Sequence, residues 1–430
     1  MTEPRYSWDE SRPIHDFDYI CGLGGYDYPH VLHRELEIRL VCKAFDHAMT
    51  RLYFQHKYAT FHTWENTATS RLQEYIIEEG AKFAPCIKRL RIMLSESRLS
   101  PDGLFEKRDV ENNPGLAGKL ALLVANTSAL VPRIEEAVSE LPTLKRLVIT
   151  LEENWRSAPL EVDQRDDEDY GLKLDLDFLQ LIRSNIASIF SSPRVHLPLL
   201  TYLRLTLPSA YDIAIIGACI QDDMAMQLRH LFLEYIDGTG PFGDRAYDLD
   251  ERSVNDDHGT PLYSNLQTRF PNTDYMDGIC TLVSRCRNLE SLGLKGTQYC
   301  NLESLIWRPT GDGLKTLYIH RARTPSSVLL ALLSPSTSIP ESSSSSRIVS
   351  VELSDVDLHG SAWGTIFDHL GYSPLLAYFD VKDILTGRSD QGSLVNLIRK
   401  VDAREGYLGE DLQDLYRESL DSFLNGESNG

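Results

Sequence analysis

Apolar residues recur along the chain in the spacing apolar-x-x-apolar-x-apolar, where x is any residue. Nine stretches follow this pattern: Ile87–Ile92, Leu144–Ile149, Leu200–Leu205, Leu228–Leu233, Leu289–Leu294, Leu302–Trp307, Leu314–Ile319, Ile348–Leu353 and Leu376–Val381. The last two apolar positions of each stretch are two residues apart, as a short strand with one buried face requires. The pattern therefore predicts nine short strands.

Helical spacing of apolar residues fills several of the gaps between these strands. The predicted helices are Leu116–Glu140, Asp177–Phe190, Asp274–Cys286, Ser326–Leu333 and Trp363–Leu370. The first two end before Pro142 and Pro193, because proline cannot continue a helix. A helix followed by a Leu-rich strand and a turn is typical of a leucine-rich repeat. We therefore predict an α/β fold, an irregular leucine-rich-repeat solenoid.

The spacing of the predicted strands is uneven. Leu203 and Leu231 are 28 residues apart, which fits one repeat of roughly 20–29 residues. Leu292 and Leu305 are 13 residues apart, which leaves room for a strand and a turn only. Three hydrophilic stretches interrupt the pattern, namely the acidic Glu161–Asp169, the Gly- and Asp-rich Asp237–Thr260 and the serine-rich Ser334–Ser346. The predicted repeat is irregular for these reasons.

The charge of the chain narrows the range of partners. Its 43 Lys and Arg and 63 Asp and Glu give a net charge of −20. Such a chain is poorly suited to hold nucleic acid or anionic membranes by bulk charge, so we predict neither partner. Three segments carry −14 of the total, namely Glu161–Asp169, Asp248–Asp257 and Asp402–Asp421. The rest is nearer neutral, and Ile87–Ile92 is basic.

Targeting signals and cysteines bear on the compartment. Met1–Arg12 lacks the apolar core of a secretion signal, and the longest apolar stretches are shorter than a membrane span. The seven cysteines are scattered and form no C-x-x-C motif, which is typical of a reducing compartment. We therefore predict an intracellular protein, cytoplasmic or nuclear.

Catalytic and metal-binding motifs are weak in this sequence. Gly22–Gly25 matches no phosphate-binding loop. Cys21, His30 and His33 lack a fourth zinc ligand. The acidic run Asp166–Asp169 is better explained as a solvated loop. We predict a non-enzymatic protein with no catalytic residues, no cofactor and no metal site.

Two stretches resemble fungal F-box proteins with degenerate leucine-rich repeats. Leu40–Phe45 and the apolar residues up to Phe54 form one amphipathic helical pattern, similar to the later half of an F-box. Cys286–Gly296 resembles the start of a leucine-rich-repeat strand. The resemblance covers residues 34–60 and 86–385. The Leu-Pro-x-Glu helix that opens an F-box is missing, and Arg12–Ile14 stands upstream instead.

The resemblance implies a protein-binding adaptor, the substrate-recognition subunit of a cullin-RING (SCF-type) ubiquitin ligase. The residues that it implies for contact with the SKP-type adaptor are Leu40, Val41, Phe45, Met49, Leu52 and Phe54. The repeats would bind a protein substrate that the sequence does not identify. One alternative is a leucine-rich-repeat interaction scaffold without a ubiquitin-ligase role. An enzyme whose site is assembled from unrelated loops ranks last.

The strand pattern also suggests where a partner binds. In a curved solenoid the outward-alternating strand positions line the concave face, and Arg204, Tyr318 and Glu352 occupy such positions. Arg and Tyr are enriched among residues that dominate binding energy. We predict three segments, namely a helical, partial F-box-like segment at 1–60, an irregular leucine-rich-repeat domain at 61–385 and a helical cap and tail at 386–430.

Overall fold

The described part of the chain forms one open sheet of ten strands. The computed structural model describes residues 59–62, 87–94, 141, 143–151, 176–193, 195–237, 265–334, 346–359, 363–382, 388–402 and 407–408. All pairings are parallel, and the strand order in the sheet is the order along the chain.

The elements are as follows. The strands are β1 Ala59–His62, β2 Arg89–Leu94, β3 Arg146–Leu151, β4 Tyr202–Leu207, β5 His230–Tyr235, β6 Ser291–Asn301, β7 Thr316–Pro325, β8 Ser350–His359, β9 Tyr378–Lys382 and β10 Tyr407–Leu408. The helices are α1 Leu176–Ser191, α2 Ala210–Cys219, α3 Asp222–Gln227, α4 Asn265–Arg269, α5 Asn272–Arg285, α6 Ser326–Leu333, α7 Trp363–Gly371 and α8 Arg388–Asp402. Within the described ranges, none of these helices is both long enough and apolar enough to cross a membrane.

The core lies between one face of the sheet and the helices. Strand register aligns the apolar positions into two rows across β2 to β9. The first row is Leu90, Leu147, Leu203, Leu231, Leu292, Leu317, Val351 and Phe379, and all eight are buried. The described helices bury their own apolar residues in the same continuous cluster. Because burial of one such side chain contributes about 1.5–3 kcal/mol, these rows dominate the stability of the sheet.

Two helices on the core side approach each other closely. A Cβ added to Gly278 of α5 would lie 2.4 Å from the Cβ of Ala214 on α2. A helix interior ordinarily favours alanine over glycine by about 1 kcal/mol. Here the missing Cβ instead lets the two backbones come together, so glycine fits this contact better than alanine would.

A buried ion pair joins α1 to α2. The Arg183 Nε donates to Asp212 Oδ1 at 2.7 Å, and both side chains are at most 2% exposed. The Arg183 guanidinium also lies over the rings of Tyr211 and Phe270, which stack on each other at 4.4 Å. Burial raises the pKa of Asp212, while Arg183 and Ser209 act in the opposite direction. A single unpaired charge at this buried site would therefore destabilise the fold.

Eight of the nine predicted strands are confirmed as β2 to β9, and one is wrong. The segment Leu302–Trp307 forms no strand and belongs to the connection between β6, which continues to Asn301, and β7. Leu302, Leu305 and Trp307 are nonetheless buried, and the Trp307 Nε1 donates to the carbonyl of Cys286. The apolar spacing there reflects core filling by a connection.

Four predicted helices are confirmed as α1, α5, α6 and α7, with ends within two residues of those expected. The predicted helix Leu116–Glu140 and the part of the predicted cap and tail that follows residue 408 lie outside the described residues. The acidic stretch Glu161–Asp169 also lies outside them. The segment boundaries at residues 60 and 385 stay predictions.

The prediction of an irregular leucine-rich-repeat solenoid is wrong, although the α/β class is compatible with the structure. The described residues form an open, all-parallel sheet covered by helices, and its strands differ widely in length. The strands β6, β7 and β8 have 11, 10 and 10 residues, whereas β9 has five. The apolar-x-x-apolar-x-apolar spacing describes the start of any parallel strand that buries one face. It therefore could not distinguish this sheet from a leucine-rich repeat.

Candidate functional site

The face of the sheet opposite the helices, here called the polar face, carries the side chains that alternate with the core residues. Its central row runs across β2 to β9 through Arg91, Val148, Arg204, Phe232, Gly293, Tyr318, Glu352 and Asp380. Arg204, Tyr318 and Glu352, the three residues predicted to bind a partner, thus lie in one row. Tyr318 and Glu352 are direct neighbours, and Arg204 lies three strands away, about 14 Å.

An ion cluster occupies the middle of the polar face. The Arg204 Nη2 donates to both carboxylate oxygens of Glu234 at 2.9 Å, and the Thr206 hydroxyl donates to the same carboxylate at 2.9 Å. Lys295 lies directly opposite Glu234 in the register of β5 and β6. Burial alone would raise the pKa of Glu234, but the charges of Arg204 and Lys295 and the two hydrogen-bond donors outweigh it and lower that pKa. Glu234 is therefore ionised at neutral pH.

A small hydrophobic cluster lies on the polar face beside these ions. Val148, Tyr202 and Phe232 form it, and the rings of Tyr202 and Phe232 lie 5.4 Å apart. The Arg146 guanidinium lies over the Tyr202 ring at 5.5 Å. A Cβ on Gly293 would lie 2.2 Å from the Phe232 ring, so glycine makes room for that ring over β6. These contacts fix the positions of the charged side chains around them.

A second charged cluster lies at the carboxyl ends of β6 to β8. The guanidinium groups of Arg321 and Arg323 lie 4.8 and 4.5 Å from the centre of the Tyr299 ring. The Tyr299 hydroxyl donates to Asp355, and Asp355 also pairs with Arg321 at 3.5 Å. Arg321 and Asp355 have φ of 64° and 52°, a left-handed conformation that costs about 1–3 kcal/mol in a non-glycine residue. The cluster's contacts hold this strained backbone in place.

A pocket of about 670 Å³ opens at the amino ends of β4 to β7. Its charged lining includes Arg229 and Lys315, which bind the two oxygens of Glu290 at 2.9 and 2.7 Å. Burial would raise the pKa of Glu290, but its bond to Lys315 and the charges of Lys315, Arg229 and His230 lower it. The Arg229, Lys315 and Glu290 side chains of the pocket are thus paired with one another.

Nucleophile chemistry has little support among the described residues. Burial raises the pKa of the thiols of Cys280, Cys286 and Cys300, that of Cys286 to about 12. A thiol acts as a nucleophile or metal ligand only as the thiolate, which such values disfavour. In the part of the chain that the structure describes, no group of three or more His, Cys, Asp or Glu could hold a metal ion. Salt bridges, aromatic rings and hydrogen-bonding groups are what the described surface offers.

Sequence reasoning reached part of this site. The residues predicted to contact an adaptor, Leu40, Val41, Phe45, Met49, Leu52 and Phe54, lie outside the described residues. On the polar face it missed Phe232 and Asp380, although they occupy the same pattern position as Arg204. It also missed Glu234, which lies one residue beyond the pattern. Extending the alternation of buried and outward positions by one residue along each strand would have identified Glu234.

Comparisons with known proteins add no assignment. No protein-family model matches the chain, and no curated protein matches it significantly.

Proposed function

We propose that the protein is a non-enzymatic adaptor that binds a protein partner through the polar face. The observation that carries the proposal is the row formed by strand register, which places Arg204, Tyr318 and Glu352 on the face that no described helix covers. All three side chains are partly exposed. Partly exposed Arg and Tyr held by neighbours are the typical anchors of protein interfaces.

The first prediction concerns the double variant Tyr318→Ala/Glu352→Ala. We expect it to recover about 10- to 100-fold less partner in affinity purification from cells, because two anchoring side chains are lost. Arg204 is left unchanged because it holds the buried carboxylate of Glu234. The matched control is Glu303→Ala/Tyr372→Ala, which removes the same two side-chain types from exposed positions outside the polar face. Equal recovery by both double variants would refute the proposal.

We further propose that this adaptor is the substrate-recognition subunit of a cullin-RING ubiquitin ligase. The support is the resemblance of residues 34–60 to the later half of an F-box, since no described residue bears on it. In this proposal the apolar side of Leu40–Phe54 contacts the SKP-type adaptor protein, and the polar face binds the substrate. A protein-interaction scaffold without a ligase role remains the alternative, because the opening F-box helix is missing.

The second prediction tests the ligase role with purified proteins. The full-length chain should co-elute with a SKP-type adaptor, and Leu40→Glu should abolish co-elution because a charge would enter an apolar interface. Leu199→Glu is the matched control, since Leu199 is 45% exposed and should tolerate the charge. Failure of the unaltered chain to bind would leave the scaffold alternative standing.

A further inference from the structure

The amino ends of β5, β6 and β7 bring three charged side chains to one edge of the sheet. Arg229, Glu290 and Lys315 each precede the first residue of their strand, and those first residues are direct neighbours in the register. Backbone hydrogen bonds continue the pairing by one position, from the Glu290 N–H to the Arg229 carbonyl at 2.7 Å and from the Lys315 N–H to the Glu290 carbonyl at 2.8 Å. Neighbouring strands lie about 4.8 Å apart, so the three residues form a compact row, here called the edge cluster.

The edge cluster has positive charge and hydrogen-bond donors in excess. A guanidinium carries five N–H donors and an ammonium three. Among the described residues, the Arg229 and Lys315 side chains bind only Glu290, so each keeps donors for a further acceptor. These two side chains are 61% and 49% exposed. Two cations and one carboxylate leave a local excess of positive charge in a chain whose net charge is −20.

The edge cluster lies in the wall of the pocket of about 670 Å³. A volume of roughly 300–1,000 Å³ is typical of small-molecule sites. Asp312, the other acid of the lining, is bound by Arg347 and so does not offset the excess positive charge. The Gln227 Nε2 donates to the Leu197 carbonyl, and its amide oxygen accepts from no described residue. The pocket thus combines anion-binding donors with an acceptor for a hydroxyl group.

We propose that this pocket binds a small hydroxylated acid whose carboxylate or phosphate group lies between Arg229 and Lys315. Hydrogen bonds from ionised donors to an oxyanion are about twice as strong as neutral ones, and a guanidinium can donate two in parallel. Apart from Leu289 and two glycines, the lining residues are polar or charged, which favours a hydroxylated ligand over an apolar one. The site lies at the strand ends and is separate from the polar face.

An acidic side chain of a protein partner is the competing occupant. A single carboxylate side chain would fill only a small part of a volume of about 670 Å³. A free molecule that carries both an acid and several hydroxyls also uses Gln227 and the rest of the polar lining. The geometry therefore favours the small molecule.

The experiment titrates the full-length chain by ligand-observed NMR with two probes, gluconate for a carboxylate and glycerol 3-phosphate for a phosphate. Xylitol, a neutral polyol, and N-acetylglutamic acid amide, which represents a protein side chain, are the comparison probes. We expect at least one of the two acids to bind with a Kd of about 1–10 mM, as ligands of about 10–13 non-hydrogen atoms allow. Xylitol should bind at least ~10-fold more weakly, because it offers no charge to the donors.

Two variants should change the affinity in opposite directions. Arg229→Gln/Lys315→Gln should weaken binding of the acid at least ~10-fold, because both charged donors are lost. Glu290→Gln should tighten binding about 2- to 5-fold, because it removes the carboxylate that competes for the same donors. The matched control, Arg399→Gln/Lys400→Gln, removes the same two charges from exposed positions on α8 and should change affinity by less than about 2-fold.

Four results would overturn the proposal. They are no binding of either acid at ~50 mM, tighter binding of the N-acetylglutamic acid amide than of both acids, equal losses in the two double variants, and weaker binding by a folded Glu290→Gln variant. Thermal melts establish that each variant is folded, and the comparison of the acids with xylitol needs no variant. Partner recovery by Tyr318→Ala/Glu352→Ala is measured separately, so the binding role of the polar face stands or falls independently of this pocket.

Discussion

Replacing Asp212 with alanine is expected to lower the free energy of unfolding by about 3–5 kcal/mol. The substitution leaves the Arg183 guanidinium charged at a site where its side chain is 1% exposed. Arginine does not lose its proton in a protein, so the charge cannot be relieved by a change of protonation. The Tyr211 and Phe270 rings around the guanidinium offset part of this cost but accept no strong hydrogen bond.

Urea denaturation of the full-length chain measures this effect. Asp222→Ala is the control, because the Asp222 carboxylate is 83% exposed in its pair with Arg285 and should contribute less than about 1 kcal/mol. Arg183→Met/Asp212→Leu should recover most of the loss, since apolar residues of similar volume replace buried ion pairs well. An Asp212→Ala variant as stable as Asp222→Ala would show that the pair is not buried in solution.

Replacing Glu234 with glutamine is expected to cost about 2–4 kcal/mol at neutral pH. Glutamine keeps the shape of the side chain but removes the negative charge that pairs with the Arg204 guanidinium. The Arg204 side chain is only 12% exposed. The cost is smaller than at Asp212 because Arg204 is closer to solvent and Thr206 can still donate to the amide oxygen.

The pH dependence of this cost gives a second readout. The pKa of Glu234 is lower in the folded protein than its ordinary value of 4.5. The stabilisation by its charge is therefore fully present above that ordinary value and is lost as pH falls through the lower folded pKa. The stability difference between the unaltered chain and Glu234→Gln should shrink in this acid range. Glu303→Gln, at an exposed position, is the control and should change stability by less than about 1 kcal/mol. A stability difference for Glu234→Gln that stays constant with pH would contradict the assignment.

The sequence predicted the strands well because burial of one face dictates local spacing. Leu203 and Leu205 mark β4 without any knowledge of its neighbours. The same logic failed at Leu302–Trp307, where a connection fills the core with the same spacing. It also missed the extension of β6, β7 and β8 beyond the apolar triplet, because their later residues include polar and left-handed positions such as Arg321.

The site was harder to predict because it depends on register. Arg204 and Glu234 are 30 residues apart, and their contact follows from the alignment of β4 with β5. The local spacing of apolar residues shows which residues of a strand lie on its buried face. It does not show which residue of the next strand lies beside each of them. The pair between Arg183 and Asp212 needed the packing angle of two helices, which no spacing in the sequence encodes.

The strand order of the sheet also affects how the protein folds and how it unfolds locally. Each strand pairs with the strand that follows it in the chain, so every pairing closes a loop between consecutive strands. The entropy lost in closing a loop grows slowly with its length, so even the long connection from β5 to β6 adds little over a short one. Folding can thus spread outward from any pair already formed. Terminal strands can detach while the central pairings persist, so amide protection should be graded from the middle of the sheet toward its ends.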